Sequence, residues 1–306
     1  MGRTTIFLIR HGARHDYNDP KGWKAQCSRL GIEALDPPLS ALGHQQAREV
    51  AAALAGEDIA HIFCSPYLRV LQTAQPLAQA LKVRLNVEHG LAEFKHYPAR
   101  IAPVSARVAV LPEVDDQYES IFPGSAFALD AKGQESVVEY LRRMLFFARE
   151  LPRHYGNMTV ACFSHAASVA LVAALTGTST LKAAGTFAPC GIWKLVSDDD
   201  GSSWRIEQTG ASNEAHVSEN DPSTYSWGFE HSRSGQQCED DWQQALTLGP
   251  SSLVASAATP ASLDAPLDVT GGGSTAPSLW VPTAVITIAL IARAWVAVTA
   301  AWQKRR

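Results

Sequence analysis

Apolar residues cluster along the first two thirds of the chain in runs of two lengths. Thr4-Thr5-Ile6-Phe7-Leu8-Ile9 and residues 59–64, 83–87 and 159–163 are short and rich in β-branched and aromatic side chains, the pattern of strands buried on both faces. Residues 40–55, 67–81, 135–151 and 166–175 are longer and predict helices. Strand and helix alternate, which predicts a three-layer α/β/α sandwich with a mostly parallel central sheet. A turn at Asp198-Asp199-Asp200-Gly201 precedes a last strand around residues 204–208. In such sheets ligands bind at the carboxyl ends of the strands.

The chemistry-bearing residues fall at those ends. Arg10-His11-Gly12-Ala13-Arg14 leaves the first strand, so a histidine sits between two guanidinium groups. Arginine holds phosphoryl oxygens through paired charge-assisted hydrogen bonds, and neutral imidazole attacks phosphorus without strong activation. Ser65-Pro66-Tyr67-Leu68-Arg69 follows the second strand and puts Arg69 in the first turn of a helix, where the helix dipole disfavours a cation and an anion partner explains it. Ser164-His165-Ala166 leaves another strand and opens a helix. Gly90-Leu91-Ala92-Glu93-Phe94 places a carboxylate after a fourth.

In this order the motifs resemble the histidine phosphatase superfamily, also called phosphoglycerate mutase-like, over residues 4 to about 210. The resemblance implies a phosphoglycerate mutase-like fold, with His11 the nucleophile that becomes phosphohistidine. It makes Arg10 and Arg69 phosphate clamps and His165 the second histidine of the phosphate pocket. Pro38-Leu39-Ser40, Gly43, Gln45 or Gln46, and Ala47 match the helix after the first loop. Metabolic mutases of the family carry Glu-Ser after Arg-His-Gly, where this chain has Ala13-Arg14. Arg14-His15-Asp16 is more similar to the phosphatase domain of the suppressor-of-T-cell-receptor-signalling proteins and their plant and protist relatives. That likeness implies a third phosphate arginine at Arg14 and a proton donor at Glu93. Ala188-Pro189-Cys190-Gly191-Ile192-Trp193 matches a late strand of the same group, and residues 101–124 look like the variable insertion that closes over substrate.

These residues predict a phosphomonoester hydrolase, with a phosphoprotein or small molecule as substrate and no metal or other cofactor. Arg10, Arg14, Arg69 and His165 would neutralise the phosphoryl oxygens while His11 attacks in line with the leaving oxygen. Glu93 would protonate that oxygen, then take a proton from the hydrolytic water. This asks for a pKa raised by burial against the pull of the arginines, and suits mildly acidic to neutral pH. A mutase or sugar-bisphosphatase of the same fold, and a phosphoprotein-binding scaffold, are the alternatives. His15 is four residues from His11, but Gly12 and the strand exit argue against a helical metal pair. Asp16 either orders Arg14 or shapes a turn, Gln72-Thr73-Ala74 reads as helix packing, and Lys95, His44, His61, His89, His96 and His154 read as solvated or locally hydrogen-bonded.

Rival chemistries lack their motifs. Only four residues separate Cys64 from Arg69, one too few for a cysteine-phosphatase loop, and neither Gly-x-Ser-x-Gly nor Gly-x-x-x-x-Gly-Lys occurs. A net charge of −4 on 306 residues argues against nucleic acid and makes the anion site a local cluster. Five irregularly spaced cysteines and no secretory pattern at the N-terminus predict reduced thiols in a cytosol-facing domain.

The pattern divides the chain into a catalytic domain over residues 1–215, a polar low-complexity linker over 216–278 with little fixed structure, and an apolar stretch over 279–302. Trp227, Phe229 and Trp242 are the linker's exceptions, and packing back on the domain is expected of them. The apolar stretch has Trp280 and Trp302 at its edges, Lys304-Arg305-Arg306 beyond and one charge, Arg293, within. It predicts a transmembrane tail anchor and membrane attachment, with an amphipathic surface helix or a partner-binding helix as the alternatives.

Overall fold

A computed structural model of the chain describes residues 2–252 apart from 18, 200 and 222–234. Its elements in chain order are β1 (Thr4–Arg10), α1 (Pro20–Leu30), α2 (Ala41–Leu54), β2 (Ile59–Cys64), α3 (Leu68–Leu81), β3 (Leu85–Val87), α4 (Val104–Val108) and β4 (Val114–Asp115). They continue with α5 (Val137–Tyr155), β5 (Thr159–Ser164), α6 (Val169–Thr176), β6 (Ile192–Ser197), β7 (Arg205–Gln208) and α7 (Gly235–Leu248). The strands form one mixed sheet in the order β4-β3-β2-β5-β1-β6-β7. Neighbours from β4 to β1 are parallel, whereas β6 runs against β1 and β7 against β6.

All seven residues of β1 are buried, because both faces of the sheet are covered. Successive side chains point to opposite faces. Ile6 and Leu8 join the apolar cluster built with α5, α6 and α7, and Phe7 and Ile9 the one built with α2 and α3. Helices therefore lie on both sides of the sheet, as the sequence predicts. The parallel register aligns Arg10 with Ser164 and Cys64 with both Phe163 and Val87. The four loops that follow β1, β2, β3 and β5 thus leave along one edge, carrying His11, Arg69, Glu93 and His165.

Two features depart from the sequence reading. Helix α1, absent from the expected elements, starts on an Asp19 side chain that accepts from the Gly22 amide, has Pro20 in its first turn and stops at Gly31 in the left-handed conformation. Helix α7 lies inside the segment expected to be a linker without fixed structure. Its Trp242 is fully buried and donates to Thr178 O at 3.3 Å, while Glu239 accepts the Leu181 and Lys182 amides. Burial of Cys238, Trp242 and Ala245 on one helical face makes α7 part of the same core, so the compact body extends to Ser252. Trp227, Phe229 and the stretch 279–302 lie outside the described residues. Among the described residues no helix is long and apolar enough to cross a membrane.

Candidate active site

His11 is the first residue past β1 and is 3% exposed. Its Nδ1 lies 2.8 Å from Gly12 O, so Nδ1 carries the proton and Nε2 keeps its lone pair. Burial, then the charges of Arg69, His165 and Arg10, push its pKa well below the usual histidine value, against the smaller pull of the Gly12 carbonyl. The imidazole is therefore neutral and nucleophilic across the physiological range. The His165 ring stands edge-on to it, with centroids 5.4 Å apart.

Three arginines surround this pair. Arg10, buried at the end of β1, donates from Nη1 to Phe187 O at 2.7 Å. Arg69, 2% exposed, stacks over Tyr67 at 4.5 Å. Its Nη2 reaches Glu93 Oε2 at 3.5 Å, while Nε and Nη1 are buried without a protein partner. Buried N–H groups on a cation are costly to leave unmade, and two on one guanidinium mark a site for an anion. Arg14 is gripped by Asp16 through Nε at 2.9 Å and Nη2 at 2.7 Å, and lies 4.5 Å from the Tyr17 ring. Asp16 thus orders Arg14, the first of its two alternatives. Burial lowers the Arg14 pKa, but Tyr17 and Asp16 outweigh it and the net shift is upward.

Glu93 completes the cluster, with Oε2 3.2 Å from His165 Nδ1 and Oε1 accepting the Phe94 amide at 2.9 Å. Its ionisation differs from the raised pKa expected of a proton donor. Burial does push it up, but His165, Arg69 and the Phe94 amide together hold it at about 2. His165 is displaced by burial to about 4 even beside Glu93, so it is neutral at neutral pH. His165 Nδ1 lies 3.2 Å from both Glu93 Oε2 and Arg69 Nη2, so it donates to the ionised carboxylate in one tautomer and accepts from the guanidinium in the other, and Ser65 Oγ, 2.7 Å from Nε2, takes the complementary role.

His11, Glu93 and His165 each present a ligand atom within 4.8 Å of the others, a set a cation could use. Arg69 beside Glu93 and buried Arg10 behind His11 oppose that use, and the balance of charge favours an anion.

Gln46, Gln72 and Thr73, which the sequence reads only as helix residues, shape the loop. Thr73 Oγ1 accepts the Gly12 amide at 3.1 Å while donating to Arg69 O, and Gln46 Oε1 accepts the Ala13 amide at 2.9 Å. Gln72 Oε1 takes the Leu39 amide at 2.8 Å. Gln72 and Thr73 therefore do more than pack α3. Gly12 must be small, since a Cβ there would meet Gly43 O at 2.9 Å. His96 is buried, bonded to Tyr67 OH at 3.1 Å, and held at about 2 by burial and then by Arg143. Lys95 is exposed, with Nζ over the Phe94 ring at 5.3 Å.

A sequence profile described as "Histidine phosphatase superfamily (branch 1)" matches residues 6–210. The chain is 31% identical over 176 residues to ubiquitin-associated and SH3 domain-containing protein A of Homo sapiens, covering 47% of this chain and 26% of that protein. It is 31% identical over 195 residues to the transcription factor tau 55 kDa subunit of Saccharomyces cerevisiae, covering 56% and 41%. It is 37% identical over 121 residues to the ecdysteroid-phosphate phosphatase of Bombyx mori, covering 31% and 18%. The chain thus spans less than half the length of these relatives. The crystal structure of the Bombyx mori ecdysone phosphate phosphatase in complex with tungstate shares the fold, with a TM-score of 0.53 and 22% identity over 71% of this chain and 97% of that one.

Proposed function

Because the chain belongs to the histidine phosphatase superfamily, whose members among its relatives include phosphatases, we propose that it hydrolyses phosphomonoesters, of a phosphoprotein or a small molecule, through a phosphohistidine on His11. The observation that carries this is the pairing of a neutral, Nδ1-anchored His11 with an Arg69 guanidinium that has two buried N–H groups unmade. A phosphoryl group placed between them meets a lone pair on one side and preorganised donors on the other.

In the first half-reaction His11 Nε2 attacks phosphorus, the P–O bond to the substrate breaks and the leaving oxygen takes a proton from Glu93. In the second, water attacks phosphorus, its proton passes to Glu93, the P–N bond breaks and inorganic phosphate leaves. Free Glu93 is ionised, so its proton has to arrive with substrate: a phosphate beside the carboxylate replaces attraction by repulsion and raises its pKa. Arg14 favours hydrolysis over the mutase alternative, since it stands where metabolic mutases of the family carry the Ser of Glu-Ser. His11→Ala should abolish turnover in the presence of chelator, and rapid quenching of wild type should trap an acid-labile phosphoenzyme. Full turnover by His11→Ala would exclude the mechanism. We propose further that residues 279–302 attach the protein to a membrane with the domain facing the cytosol.

A further inference from the structure

We infer that Arg143, braced by Glu135, is a positioning residue that sets the Glu93 carboxylate for proton transfer. This rests on the reading of Glu93 as the acid in the proposed reaction. Arg143 lies on α5, and its side chain and that of Glu135 are 0% and 1% exposed. Its Nε and Nη2 bond the two Glu135 oxygens at 2.8 and 2.6 Å. Its Nη1 turns to the backbone, donating to Gly90 O at 2.7 Å and Ala92 O at 3.2 Å. Glu93 is the next residue. The rings of Tyr140 and Phe127, 4.8 and 5.1 Å from the guanidinium carbon, flank the group.

The turn carrying Glu93 has its backbone groups accounted for one by one, largely by side chains. The Gly90 amide goes to Glu88 Oε1 at 2.7 Å, Leu91 O accepts from Ser164 Oγ at 2.8 Å, and the Gly90 and Ala92 carbonyls go to Arg143. Leu91 N and Ala92 N close the turn on Glu88 O and His89 O. Stability alone does not call for this arrangement, because a buried ion pair is commonly matched or bettered by apolar residues of the same volume. What an apolar pair lacks is a donor for the two carbonyls next to Glu93. Proton transfer needs donor and acceptor at hydrogen-bond distance, so an error of an ångström in the turn is costly. Arg143 touches the turn, not the phosphate cluster, so its loss should fall on protonation of the leaving group rather than on binding.

The test compares kcat/KM of the full chain on an alkyl phosphate, whose leaving group needs a proton, and on para-nitrophenyl phosphate, whose leaving group needs little help. Arg143→Lys keeps the charge opposite Glu135 but cannot fork between carboxylate and carbonyls. It should lower kcat/KM on the alkyl phosphate about tenfold to a hundredfold more than on the aryl phosphate, while inhibition by inorganic phosphate stays unchanged. The uncharged pair Glu135→Gln/Arg143→Met should show the same leaving-group bias, and supplies the reading should the lysine variant not fold. Equal losses on both substrates, no loss on either, or weakened phosphate inhibition would overturn the inference. Glu93→Gln is the control: a bias there with none in the Arg143 variants rejects the positioning role alone, whereas no bias at Glu93→Gln rejects Glu93 as the acid.

Discussion

Glu93 sits 3.2 Å from His165 Nδ1 and 3.5 Å from Arg69 Nη2, and this company has a consequence for pH. His11, with its pKa well below the ordinary value, keeps its lone pair far into acid. Glu93, held at about 2, brings no proton of its own above that pH. The proton for the leaving oxygen must then enter with the substrate, whose phosphate gives up its second proton near pH 6. Protonated substrate dominates below that value and is lost above it. For an alkyl phosphate, kcat/KM should therefore stay level between about pH 4 and 6 and fall about tenfold per unit above, one proton being lost. A profile that climbs from pH 5 to 8 would show that the proton has another source. Arg14 gives a second expectation at this scale. As a third donor to the phosphoryl group, Arg14→Ala should lower turnover by about tenfold to a thousandfold, and Asp16→Asn, which loosens the 2.7 and 2.9 Å grip on Arg14, should lower it less. An Arg14→Ala variant with wild-type kinetics, or robust phosphoglycerate isomerisation by the wild type, would turn the assignment toward a mutase.

At the scale of elements, position in a strand–loop–helix unit made His11, Arg69, Glu93 and His165 legible, because each follows its own strand and a parallel sheet brings strand ends together. The residues that hold those loops were not legible. Gln46, Thr73, Ser164 and Arg143 sit inside ordinary helices and strands, and their partners Ala13, Gly12, Leu91 and Gly90 are remote in sequence. A hydrogen bond to a distant backbone leaves no periodicity to read. Helix α7 was missed for another reason: its polar face dominates its composition, so of its three buried residues, Cys238, Trp242 and Ala245, only Trp242 stood out, as an exception in a linker. Packing supplies what propensity does not, which gives a stability expectation. Trp242 is fully buried, and Trp242→Ala should cost about 3–5 kcal/mol in chemical denaturation, the range for removing a buried aromatic side chain. A midpoint within error of wild type would mean that α7 is a detachable appendage and not part of the core.

For the whole molecule, a net charge of −4 coexists with a cluster of three arginines at the candidate site, so attraction of an anionic substrate is local to that cluster, and the chain's own location is a separate matter. Residues 279–302 bear on that location. Their Val, Ile, Leu and Trp content would favour a bilayer, and tryptophans at positions 280 and 302 match the preference of indole for its interfaces. Arg293 opposes insertion by about 2.5–3.5 kcal/mol at mid-bilayer. The many alanines contribute little either way, so the balance is close, and one substitution should move it visibly. The full-length protein should remain in the membrane pellet after an alkaline carbonate wash, a chain ending at Ser278 should stay in the supernatant, and Arg293→Leu should raise the retained fraction. Release of the full-length protein by carbonate would place the segment on a membrane surface or against a partner. An Arg293→Leu variant retained no better than wild type would mean that Arg293 does not face the hydrocarbon, because the cost it imposes arises only there.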